Sequence, residues 1–142
     1  MFGNDRDSMR RYYLQCWQKL QQKLPMDALE QQVASVIAEH PEYHALLGKN
    51  EHAIQRDYIP ETGETNPFLH MGLHLGIREQ VATNRPTSIA AHYQQLISKH
   101  GVHETEHRMM DCLAESIWLA QRNHAAPDEA AYLECIQKIA AR

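Results

Sequence analysis

The stretch Thr65–Ala82, TNPFLHMGLHLGIREQVA, constrains this chain more than any other. Asn66 followed by Pro67 starts a helix well: a side chain able to accept from the first free N–H groups, then a proline whose fixed φ suits the first helical position. From Phe68 to Val81 no further proline interrupts. At about 100° per residue, His70, His74, Ile77 and Val81 share one stripe. Phe68, Met71 and Leu75 cover a second side, and Leu69 and Leu73 a third. A helix apolar most of the way round is buried among other helices. Gly72 and Gly76, four apart, point to a neighbouring helix approaching closely.

The rest of the chain supplies those neighbours. Helical spacing of apolar residues runs from about Asp7 to Lys23 (Met9, Tyr13, Cys16, Trp17, Leu20, Leu24), with Arg10 and Arg11 outside the stripe. It resumes from Pro25 to about Glu39 (Met26, Leu29, Val33, Val36, Ile37), and HPEYHALL reads as a restart after Pro41. Residues 48–65 lose the pattern and form the longest irregular stretch. Beyond the central helix, Thr87 caps a segment carrying Ile89, Tyr93, Leu96 and Ile97, which Gly101 ends. A long helix follows from Val102 to Arg122. Its predicted inward side holds His103, His107, Met110, Ala114, Ile117 and Trp118, with Glu106 at the edge. A last helix starts at Pro127 and packs Tyr132, Cys135, Ile136 and Ile139. The prediction is an all-α, single-domain bundle of five to six helices over residues 1–142, with the helix at about 67–82 buried in the middle.

Bulk properties exclude several classes. A net charge of −4 does not suit nonspecific nucleic-acid binding, which needs a basic surface. No apolar run reaches the roughly 20 residues that span a bilayer, and the N-terminal MFGNDRDSMRRYYLQ has no apolar signal core. A cytoplasmic protein is expected, without nucleic-acid or membrane partners; a small-molecule or protein partner and a homo-oligomer both stay open. Cys16, Cys112 and Cys135 are odd in number and lack CxxC spacing. They read as reduced core residues rather than a disulfide framework or a cysteine zinc site.

Ten histidines are the unusual feature. His70/His74 and His103/His107 each stand at i, i+4 on a predicted inward face. Such pairs bring two imidazoles close enough to hold one ion. If the two helices are neighbours, the pairs converge with Glu106, as metal sites in bundle cores do. The expected metal ligands are His70, His74 and His107, with Glu106, His103 or His44 completing the shell. Zn or Fe heads the expected metals, and Ni or Mn also suits such donors. His103-Glu104-Thr105-Glu106-His107 also matches H-E-x-x-H literally, which would make Glu104 a general base. Against a peptidase, the motif opens its helix directly after Gly101 and no strand is evident to hold a substrate. The ordinary alternative is a non-enzymatic interaction module whose histidines bond Glu106, Tyr43 or Tyr93 inside the core. Hydrolytic and oxidative metal chemistry both fit, and the spacing selects neither.

The segments HPEYHALL, TNPFLHMGLHLGIREQ, NRP and EHRMMDCLAESIWLAQR, with MRRYYLQCWQKL near the start, resemble a family of short proteobacterial proteins known as domain of unknown function 1841. The resemblance covers almost the whole chain. It implies a bacterial cytosolic protein with no established activity. In it His44, His70, His74, Glu79, Glu106, His107 and Glu115 match the family's pattern, and His103 falls outside it.

Overall fold

Asn66 starts the central helix as its sequence predicts. In a computed structural model, which describes residues 6–48 and 66–141, the Asn66 side-chain oxygen accepts from the backbone N–H groups of Phe68 and Leu69 at 3.0 and 3.2 Å. Helix α4, Pro67–Thr83, follows. Before it come α1 (Arg6–Gln22), α2 (Ala28–Ala38), a 3-10 turn (Pro41–Tyr43) and α3 (His44–Leu47). After it come α5 (Ile89–His100), α6 (Val102–Arg122) and α7 (Glu129–Ala140). The described residues therefore form seven helices and no strand. The prediction of five to six falls short because HPEYHALL makes a separate short helix behind its proline turn. Residues 49–65, most of the predicted irregular stretch, lie outside the described residues. No described helix is long and apolar enough to cross a membrane.

The chain gathers into two compact units, residues 1–72 and 73–142. In the first, α1 packs on α2 around Tyr13, Leu14, Cys16, Val33, Val36 and Ile37. The helix following Pro25 begins later than expected, at Ala28, because Asp27 and Glu30 form a capping box. Asp27 accepts from the Glu30 N–H at 2.8 Å, and Glu30 accepts from the Asp27 N–H at 2.9 Å. Two orphan donors are satisfied reciprocally. The α1 stripe is also rotated from its predicted position. Met9, Leu20 and Leu24 are exposed, while Leu14 and Arg10 are buried. Arg10 is only 3% exposed because its flat guanidinium lies over the Phe68 ring, 4.9 Å from the centroid. A weakly hydrated, planar cation can stack there where an ammonium could not.

In the second unit, Ile77, Ile89, Leu96, Met109, Met110, Tyr132, Ile136 and Ile139 make one core. Gly101, at φ +82°, ends α5 as expected, its N–H donating to the Ile97 carbonyl. Thr87 caps nothing; the Asn84 side chain instead accepts from the Ala90 N–H at 3.1 Å. The last helix begins at Glu129 rather than Pro127, with Asp128 capping the Ala131 N–H. Two further expectations are corrected. Ile117 and Trp118 were predicted to face inward, yet Trp118 is 56% exposed and Ile117 is exposed beside it. The apolar stripe of α6 is satisfied by its first three turns, where Met109, Met110 and Cys112 are buried. Cys112 and Cys135 are not reduced core thiols but a disulfide joining α6 to α7, with Cα atoms 5.8 Å apart. Their separation of 23 residues hid a pairing that only helix packing could supply. Cys16 is the free, buried cysteine.

Candidate metal centre

Helix α4 carries the site. Its buried side is Phe68, Met71, His74 and Ile77, spaced at three residues. His74 is 1% exposed, and one turn earlier His70 is half-buried. Leu69, predicted to pack, is 61% exposed, so the helix is amphipathic rather than buried all round.

His70 meets His40, a residue at the end of α2. The two rings stand edge to face with centroids 5.1 Å apart, and Tyr43 stacks parallel to His40 at 5.5 Å. The His40 Nδ1–H donates to the Val36 carbonyl at 2.7 Å. A carbonyl can only accept, so Nδ1 carries a hydrogen. Burial raises the Tyr43 hydroxyl pKa above its ordinary value, with help from Glu42, and it stays protonated at neutral pH.

His74 meets His107 of α6, again edge to face, with centroids 4.7 Å apart. The His107 Nδ1–H donates to the His103 carbonyl at 2.8 Å. The His74 Nδ1–H donates to Glu106 Oε1 at 2.8 Å. Glu106 is 1% exposed and is held by two further donors. Arg78 Nε lies 3.0 Å from Oε2 and its Nη2 3.1 Å from Oε1. The Tyr93 hydroxyl donates to Oε2 at 2.8 Å. Burial alone would push this carboxyl up; hydrogen bonds from His74, Arg78 and Tyr93 outweigh it and hold the pKa down at about 2. A buried charge with this many donors is the satisfied case.

Helix α4 thus carries His70 and His74 one turn apart, with His40 beside the first and His107 beside the second. Three of those rings carry Nδ1–H on a fixed acceptor, so Nε2 is the donor atom each can offer. That arrangement, a ligand histidine whose other nitrogen is tied to a carboxylate or carbonyl, is usual around protein-bound metals.

Of the residues expected from sequence, His74 and His107 meet, while His70 meets His40. Glu106 sits behind His74, with both oxygens engaged, and orients it. His44 is turned away: its Nε2–H donates to the Ile37 carbonyl at 2.8 Å and its ring lies 4.3 Å from Trp17. His103 is exposed and covers the His107 ring at 4.2 Å. Glu104, the base a peptidase reading requires, is exposed and bonded to Arg108 at 2.8 Å, which lowers its pKa. His40, beside His70, is a candidate that the sequence reading left out. Pro41 after it marked a helix end, and a histidine there suits the helix dipole without any ligand.

A family model described as Domain of unknown function (DUF1841) matches residues 5–138. No curated protein matches the chain, and no solved structure does.

Proposed function

The chain belongs to the DUF1841 family, and we propose that it binds a divalent transition metal through histidines on and beside α4: His70 and His74, one turn apart on that helix, with His40 and His107 beside them. The observation that carries this reading is the common state of three of the rings: His40, His74 and His107 each donate Nδ1–H to a fixed acceptor. Four imidazoles form a neutral, borderline set. It suits Zn, Fe, Ni or Cu and disfavours Mg and Ca, which seek oxygen. Zn and Fe lead as expected metals. With four protein ligands, tetrahedral zinc would be a closed structural site. A metal that accepts six ligands would keep two positions for water or substrate, and would make the protein an enzyme candidate.

Elemental analysis by mass spectrometry tests this on untagged protein purified without chelator, beside a His74→Ala variant. Near-stoichiometric metal that vanishes in the variant is expected. If neither freshly purified protein nor protein incubated with Zn, Fe, Ni, Cu or Mn salts retains metal, the reading fails. The interaction-module alternative would then gain from the exposed run Ile117, Trp118 and Leu119 on α6.

A further inference from the structure

Between α6 and α7 lies an open groove of about 490 Å³, whose lining includes Cys112, Ser116, Leu119, Tyr132, Cys135 and Lys138. The disulfide therefore borders a solvent-reached cavity instead of being sealed in the core. Its two ends differ. Cys112 is buried at 4% exposure, whereas Cys135 is only half-buried. Of the two cysteines that line the groove, Cys135 is the more exposed. Cys16 offers the contrast within the same chain. It is fully buried and unbridged, and burial together with nearby Glu30 pushes its thiol up to about 11.

We propose that Cys112–Cys135 is a thiol–disulfide exchange site that accepts small or protein dithiols, with first attack on Cys135 Sγ. A thiolate of the dithiol forms a bond to Cys135 Sγ, and the Cys112–Cys135 bond breaks. Its electron pair leaves on Cys112 Sγ, which takes up a proton. The second thiol of the dithiol then attacks the mixed disulfide and releases the Cys135 thiol. The dithiol ends as a disulfide, and the protein gains two thiols and loses its covalent link between α6 and α7. Accessibility of the attacked sulfur and its choice between two partners govern such exchange. The step uses no metal, so it stands apart from the histidine site.

The test uses the full chain under native conditions, in glutathione buffers of graded redox ratio, with thiols trapped by alkylation and read by intact mass and peptide mapping. Cys112 and Cys135 should gain or lose alkylation together and reversibly as the ratio changes, with Cys16 unlabelled until denaturant is added. In Cys112→Ser, oxidised glutathione should add to Cys135; in Cys135→Ser, addition to Cys112 should be at least tenfold slower. A bridge that yields thiols only after unfolding would overturn the proposal. So would three free thiols that no oxidised glutathione converts to the bridge. If a serine variant fails to fold, the wild-type titration alone still decides.

Discussion

Glu106 is the residue on which the histidine site turns. Its carboxylate takes the His74 N–H and is matched by the Arg78 guanidinium and the Tyr93 hydroxyl. Glu106→Gln keeps the size but loses the charge, and its amide satisfies fewer of these donors. Partners behind a ligand histidine are typically worth about 10–100-fold in metal affinity. That loss is expected for Glu106→Gln in chelator-competition titrations, with the four histidines intact. The same group gives a pH dependence. Because its folded pKa is held at about 2, below the ordinary carboxylate value near 4.3, it stabilises the fold fully above that ordinary value. The contribution is lost as pH falls from there towards 2. Urea midpoints measured across that window should drop for the natural chain and drop less for Glu106→Gln; parallel curves would remove Glu106 from the account. The sequence made this residue visible. A carboxylate on the apolar edge of a helix needs a partner, and a histidine was legible as one; Tyr93 was read instead as a partner of the histidines. His40 was not, because its ring is positioned by a bond to the carbonyl four residues back, which periodicity does not encode.

At the level of elements, helix starts were readable wherever side-chain chemistry fixes them, as at Asn66. They were misplaced by a few residues where a proline was weighted over the acidic cap behind it, as at Asp27 and Asp128. Stripes were readable where apolar residues have no competitor. They failed at Arg10, whose aromatic partner Phe68 lies 58 positions away in the sequence, and at Trp118, because the α6 helix outruns the core it packs on. The two glycines of α4 divide as well. A Cβ on Gly76 would stand 3.3 Å from Leu113 Cδ2, a close approach of α6, whereas one on Gly72 would meet only the Tyr13 hydroxyl at 3.7 Å. Alanine is worth about 1 kcal/mol over glycine inside a helix. Gly72→Ala should therefore raise stability by up to about that amount, seen as a higher urea midpoint at unchanged slope. Gly76→Ala should gain less, since Leu113 must shift to admit the methyl. Equal gains would show that α6 leaves more room at Gly76 than the 3.3 Å contact implies.

For the molecule as a whole, a metal held by the folded chain and not by the unfolded one must stabilise the fold by mass action. At free metal one hundred times the dissociation constant the increment is about 2.7 kcal/mol. In a chain of this length that corresponds to a melting shift of about 5–11 °C. The increment, not the melting point itself, is diagnostic. His40→Ala removes a side chain only 2% exposed and will lower the melting point of the metal-free protein through packing alone. A ligand role adds a second effect, loss of the metal-dependent shift. His44→Ala separates the two, because His44 also bonds a backbone carbonyl and stacks on an aromatic ring but stands outside the proposed ligand set. It should lower the starting point and keep the shift. Differential scanning calorimetry of the natural chain and both variants, each with and without the bound metal, reads the comparison directly. A shift retained in His40→Ala and lost in His44→Ala would reassign that ligand to His44, one of the three residues expected from sequence to complete the shell.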